Sequence, residues 1–260
     1  MSSILDNDRM SPVTDIPYRI LGTPCRDGLL IVSDHASNHV PASIDLGVKP
    51  EQLNRHIAWD IGVAAVAEKI VSSYPSAAIL GNVSRLVVDL NRYPDEPDVV
   101  PVQSDGLLIP GNQLDLNERM DRIARHFTPY HDTLDALIKD HRPALILSLH
   151  SFTPQLASRP DEQRPWELGV LYNEQEAPSK CAISFLESAG IYVGDQLPYS
   201  GKILNATMNR HAEGNDIPYI GIELRQDFII ENEGQERFTR ILTEMCHFVS
   251  EKLGLGLQKT

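Results

Sequence analysis

Two histidines stand at the ends of short apolar runs, and one acid lies inside a third. The run Leu29-Leu30-Ile31-Val32 leads through Ser33-Asp34 to His35. The run Ala144-Leu145-Ile146-Leu147-Ser148-Leu149 delivers His150, and Tyr219-Ile220-Gly221-Ile222-Glu223-Leu224 carries Glu223. Unbroken apolar runs of this length suit strands covered on both faces. In open α/β sheets, ligands sit beyond the carboxyl ends of the strands. Two imidazoles arriving there from separate strands can ligate one metal. Catalytic zinc takes three protein ligands and a water, and His/His/carboxylate is a common set. A further carboxylate beside that water would accept its proton. Glu223 is the candidate, because a lone acid in an apolar run is costly to bury unless it is paired or functional. Taken singly, each histidine reads more simply as a hydrogen-bonded strand-end residue; the set of three points to chemistry.

A second group is Ser84-Arg85-Leu86-Val87-Val88-Asp89-Leu90-Asn91-Arg92. Its apolar stretch predicts a strand over Arg85–Leu90, with Asn91-Arg92 where it runs out. A guanidinium matches a carboxylate through two parallel hydrogen bonds, and Asn adds a donor. The pair reads either as a clamp for an acidic substrate or as a surface ion pair to Asp89 or Asp95. Arg225 shares a sheet face with Glu223 if the strand continues; it would bind a second carboxylate or hold Glu223. His211 reads equally as a loop residue entering the site or as a surface imidazole. Tyr199–Lys202 reads as a turn that could form part of a lid, and Tyr130-His131 as helix packing.

These residues need a scaffold, and the patterning supplies one. Helices are predicted over 60–73, over 114–139 with Pro129 separating or kinking them, over 182–189 with Gly190 as the cap, and over 236–252. Further strands are predicted at 77–80, 169–172 and 191–193. Strands alternating with helices imply a single three-layer α/β/α domain over 28–260 around a central mixed, mostly parallel sheet. Residues 1–27 read as an N-terminal arm, and 94–113 and 152–167 as long loops. Acidic residues outnumber basic ones 36 to 23, for a net charge of −13, which disfavours a nucleic-acid partner. Three scattered cysteines make neither a disulfide framework nor a CxxC zinc site. No apolar run approaches the ~18 residues of a membrane span, and the first residues do not read as a secretory signal. The expectation is a cytoplasmic protein without membrane partners.

Taken in order, Asp34-His35-Ala36-Ser37-Asn38, Trp59-Asp60, Ser84-Arg85, Asp89-Leu90-Asn91-Arg92, Ser148-Leu149-His150-Ser151 and Glu223-Leu224-Arg225-Gln226-Asp227 resemble the N-formylglutamate amidohydrolase family, from about residue 28 to 250. That family is similar in turn to zinc carboxypeptidases and aspartoacylases. The resemblance implies a zinc exopeptidase-like fold and Zn2+ or another divalent metal. It also implies a small acidic substrate, hydrolysis of N-formyl-L-glutamate to formate and glutamate, and a place in histidine degradation. It makes Glu223 the general base, Arg85 the group polarising the scissile carbonyl, and Asn91 and Arg92 the carboxylate clamp, with Arg225 or His211 on the rest of the substrate. His35 and His150 become metal ligands. The zinc relatives carry His-x-x-Glu, whereas Asn38 stands here in the Glu position, so Asp60 is the expected third ligand and Asn38 the reserve. Ser148 stands where relatives often have an Asp that orients the later histidine. Two rival readings remain: a zinc amidase or peptidase for another acidic substrate, and a non-catalytic carboxylate-binding protein on the same fold.

Overall fold

The computed structural model describes residues 15–257. Among the described residues nine strands form in chain order: β1 (Tyr18–Gly22), β2 (Leu29–Ser33), β3 (Ser76–Gly81), β4 (Gln103–Ser104), β5 (Leu107–Leu108), β6 (Leu145–Phe152), β7 (Leu168–Leu171), β8 (Val193–Asp195) and β9 (Tyr219–Arg225). The helices are α1 (Val63–Ser73), α2 (Leu116–Arg122), α3 (Thr128–His141), α4 (Glu176–Ser188), α5 (Ala206–His211) and α6 (Asn232–Leu253). Seven strands make one sheet in the order β1-β3-β2-β6-β9-β7-β8. Its middle four, β3, β2, β6 and β9, run parallel. β1 at one edge is antiparallel to β3, and β7 is antiparallel to β9. β4 and β5 form a separate hairpin.

Successive strand residues point to opposite faces, and each face of this sheet is covered. Leu29, Ile31, Leu147, Leu149, Ile220 and Ile222 pack with apolar residues of α1, α4 and α6. Leu30, Val32, Ile79, Ile146 and Tyr219 pack on the other face with Tyr130, Leu134 and Ile138 of α3 and Met208 of α5. The result is a three-layer α/β/α fold around a mixed, mostly parallel sheet.

Four details differ from the sequence reading. Arg85–Leu90 is a chain of turns: the N–H of Arg85 goes to Ala58 O, that of Val87 to Ser84 O and that of Asp89 to Val99 O. Leu86, Val87, Val88 and Leu90 nevertheless plug the second core, and a loop buried on all sides gives the same apolar signature as a central strand. Tyr18–Gly22, read as part of an arm, is a half-exposed edge strand; residues 1–14 of that arm lie outside the described residues. Pro129 marks the expected boundary between two helices, but the join between α2 and α3 is a π-helical turn over Ile123–Phe127 rather than a break. Pro129 sits in the first turn of α3, where its missing N–H costs little. The long segment 94–113 holds two short 3-10 turns and the β4–β5 hairpin.

Candidate active site

The parallel register builds the site. His150 of β6 stands directly beside Glu223 of β9. Val32 of β2 pairs with Ser148 of β6, so the chain beyond β2 brings Asp34 level with His150. His150 and Glu223 fall on the same sheet face as the second core, at the carboxyl end where that core stops. Two loops then lock against the strand ends. The N–H of Asp60 donates to His35 O at 2.9 Å, that of Ser84 to His39 O at 2.7 Å, and that of Arg85 to Ala58 O at 3.1 Å.

His35, Asp60 and His150 are all buried and each offers a ligand atom within 4.8 Å of the others. Asp60 Oδ2 lies 2.9 Å from His150 Nδ1 and 3.5 Å from His35 Nδ1. The opposite nitrogens face two other carboxylates: His35 Nε2 donates to Asp89 Oδ1 at 2.7 Å, and His150 Nε2 lies 3.5 Å from Asp34 Oδ2. Asp34 is held from behind by the Tyr130 hydroxyl, which donates at 2.7 Å. A carboxylate on the remote nitrogen of each imidazole is what orients metal-binding histidines. His35 Nδ1 is buried and lacks a hydrogen-bond partner among the described residues. That orphaned nitrogen, turned inward with His150 Nδ1 and Asp60 Oδ2, fits a metal ion, and the two-nitrogen, one-oxygen donor set suits zinc.

Arg85 bridges the acids, donating to Asp60 Oδ1 at 3.1 Å and to Asp89 Oδ2 at 3.2 Å. Burial works to raise the carboxyls of Asp34, Asp60 and Asp89. The imidazoles outweigh it, helped at Asp60 and Asp89 by Arg85, and all three stay below the usual carboxylate range. The same carboxylates overcome burial at His35 and His150, raising both. Glu223 differs. Its side chain is almost wholly enclosed, Oε2 has no hydrogen-bond partner among the described residues, and it touches no guanidinium within ion-pair distance. Burial, with the Asp60 charge, pushes it up to about 7 against the pull of His150, Arg85 and His35. A carboxyl near neutrality can both take and return a proton.

His35, Asp60, Arg85, His150 and Glu223 line a cavity of about 140 Å³, together with His56, Asn91, Arg92, Thr153, Tyr199 and Leu204. Typical drug-sized sites run ~300–1,000 Å³, so the space suits a molecule of amino-acid size. Arg92 donates one N–H to Asn91 O at 2.9 Å. No carboxylate pairs with it among the described residues, unlike Arg85, so the ion pair to Asp89 or Asp95 is not formed by Arg92. The Asn91 side-chain oxygen accepts from the N–H of Thr207 at 3.0 Å, and Asn91 lines the cavity.

The remaining sequence candidates lie elsewhere. His211 is fully buried in α5 between Asp135, at 2.7 Å from Nδ1, and His131, at 2.7 Å from Nε2, and does not line the cavity. Arg225 shares the predicted face, but its guanidinium turns away to Asp227 and the carbonyls of Arg164 and Pro165. Asn38 donates to Leu53 O at 3.0 Å and to Asn54 Oδ1 at 3.3 Å, and does not line the cavity. Ser148 is buried in β6, and Asp34 stands at His150 in place of the expected upstream acid. The sequence reading assigns no site role to Asp34, His56 or Thr153, takes Asp89 only as an ion-pair partner, and takes Tyr199 only as part of a turn that could belong to a lid. Asp34 and Asp89 had a signal in their adjacency to His35 and Asn91-Arg92; His56, Thr153 and Tyr199 had none in spacing.

A three-layer α/β/α sheet that gathers these groups at its carboxyl edge is the arrangement of a hydrolase acting on amide bonds. The chain belongs to the N-formylglutamate amidohydrolase family, which it matches over residues 27–230. Among solved structures it is similar to gene product Atu2144 from Agrobacterium tumefaciens, at 28% identity over 92% of this chain and 96% of that one, with a TM-score of 0.86. It is also similar in fold to N-formylglutamate amidohydrolase from Ralstonia eutropha JMP134, at 20% identity over 93% and 99% of the two chains, with a TM-score of 0.72. No curated protein matches it.

Proposed function

We propose that this amidohydrolase cleaves the amide of an N-acyl acidic amino acid, with N-formyl-L-glutamate as the reference substrate, giving formate and glutamate. The observation that carries the reading is the buried His35–Asp60–His150 group, each imidazole backed by its own carboxylate. His35 Nδ1, His150 Nδ1 and Asp60 would hold a divalent ion, zinc by its donor set. Bound there, the ion supplies Lewis acidity that lowers the pKa of water and polarises a carbonyl oxygen.

The chain's own residues do the rest. Arg92 grips the substrate carboxylate through its planar fork, and the Asn91 amide adds a donor. Glu223 takes a proton from the attacking water as the carbon–oxygen bond forms, and returns it to the nitrogen as the carbon–nitrogen bond breaks. Arg85 presents its remaining N–H groups to the oxyanion, a contribution of typically about 3–4 kcal/mol per donor. The ion pairs to Asp60 and Asp89 keep that guanidinium still, so little reorganisation is needed.

The test is release of formate from N-formyl-L-glutamate by zinc-loaded and chelator-treated protein, beside N-formyl-L-leucine of similar size. The expected result is metal-dependent turnover with kcat/KM at least tenfold higher for the acidic compound. Equal rates on both compounds would remove the clamp from the reading, and no turnover of either would remove the reaction.

A further inference from the structure

The catalytic cavity does not end at the reacting centre. At His56 and Thr153, which line both, it adjoins a second, more open groove of about 480 Å³, bordered further by Asn54, Arg55, Ala157 and Gln226. None of Asn91, Arg92, Tyr199 or Leu204 borders this groove, so it opens away from the clamp. A trans amide places its two substituents on opposite sides of the C–N bond. With the amino-acid carboxylate on Arg92 and the amide carbon beside Glu223, the acyl substituent therefore points toward His56, Thr153 and the groove. A formyl group has only a hydrogen there and would leave the groove unused.

The groove wall is built. Asp105 lies between β4 and β5 with its side chain only 4% exposed. Its carboxylate accepts from the N–H groups of Ala157 and Ser158 at 2.9 and 2.8 Å, and lies 3.2 Å from His56 Nε2. Those contacts hold its carboxyl below the usual range against burial. One buried acid thus fixes both sides of the junction, the loop carrying Ala157 and the His56 ring. Gln226 borders the groove, and its side-chain oxygen is enclosed in the wall without a hydrogen-bond partner among the described residues. An unpaired buried acceptor is costly, and rotation of the Gln226 amide toward an N–H donor on the occupant would satisfy it.

We infer that the acyl group this enzyme accepts extends beyond formyl to aminoacyl groups, so that dipeptides with a carboxyl-terminal glutamate are substrates. The inference rests on the hydrolysis proposed above. The bond broken is the same: water's oxygen joins the acyl carbon, and the glutamate nitrogen leaves with the proton.

The experiment compares kcat/KM for N-formyl-, N-acetyl-, glycyl- and alanyl-L-glutamate with the zinc-loaded full chain, in the wild type and in Ala157→Trp and Gln226→Leu. Ala157 is exposed, so the larger side chain fills groove rather than core. The expected result is glycyl- and alanyl-glutamate hydrolysed at least as efficiently as the formyl compound. The ratio of dipeptide to formyl efficiency should fall at least tenfold in Ala157→Trp and severalfold in Gln226→Leu. Hydrolysis of the formyl compound with dipeptides below a hundredth of its efficiency overturns this inference alone. Dipeptide hydrolysis whose ratio is unchanged by both variants overturns the groove assignment. Turnover of none of the four overturns the parent reaction as well.

Discussion

Glu223 illustrates what one side chain reveals on its own. An acid in the middle of Ile220-Gly221-Ile222-Glu223-Leu224 has no apolar reason to be there, and the structure buries it beside His150 with one oxygen unpaired. Glu223→Gln keeps the shape and removes the proton acceptor. It should lower kcat by about 10²–10⁴-fold with KM nearly unchanged, read from steady-state rates on N-formyl-L-glutamate; a variant retaining a tenth of wild-type kcat would exclude Glu223 as the base. The histidine pair was legible for a similar reason, since each stands near the end of an apolar run. Asp34 and Asp89 were not legible as a pair of supports. Their role depends on which imidazole nitrogen they meet, and that is set by packing. His211 and Arg225 show the opposite limit: both are suitable residue types near the right strand end, yet each is engaged by nearer partners.

Elements hold these side chains through backbone contacts. Leu90 O, next to the clamp, accepts from His131 Nε2 of α3 at 3.0 Å and from the Thr207 hydroxyl of α5 at 3.1 Å. Burial, with the neighbouring His211 ring, holds His131 down to about 3. The unfolded chain takes this proton near pH 6.5 while the folded chain does not. The contribution is thus complete above about pH 6.5 and is lost as pH falls toward 3. Urea midpoints at pH 7.5 and 5.0 should show a smaller acid loss for His131→Asn than for the wild type, although the variant starts lower; equal losses would count against the assignment. The strand β3 matters through Gly81, whose added Cβ would lie 2.1 Å from Asp34 O. Gly81→Ala should cost about 1–3 kcal/mol and weaken zinc binding by displacing the chain just before His35, measured by denaturation and metal titration. Strands β2, β6 and β9 were readable because both faces of each are covered. Arg85–Leu90 was misread because burial, not strand geometry, sets its apolar pattern, and β1 was missed because half of it faces solvent.

For the molecule as a whole, the continuous sheet and its two cores make separate melting of halves unfavourable. We expect one thermal transition, in keeping with a single domain. Because the three proposed ligands come from β6 and two loops, zinc would bind only the assembled fold. At about 100 times its Kd the ion should stabilise the chain by about 2.7 kcal/mol, seen as a rise in Tm that His35→Ala abolishes. Two transitions would divide the domain, and an unmoved Tm would remove the ion.

The edge strand β1 has a practical consequence for anyone shortening the gene. The family match spans 27–230, whereas β1 lies before it and α6 after it. A fragment trimmed to those limits would strip Phe238, Leu242, Met245 and Val249 from one sheet face and leave the outer rim of β3 bare. Open rims of this kind template association between molecules. Such a fragment should therefore scatter light and elute as large particles where the longer chain stays dispersed.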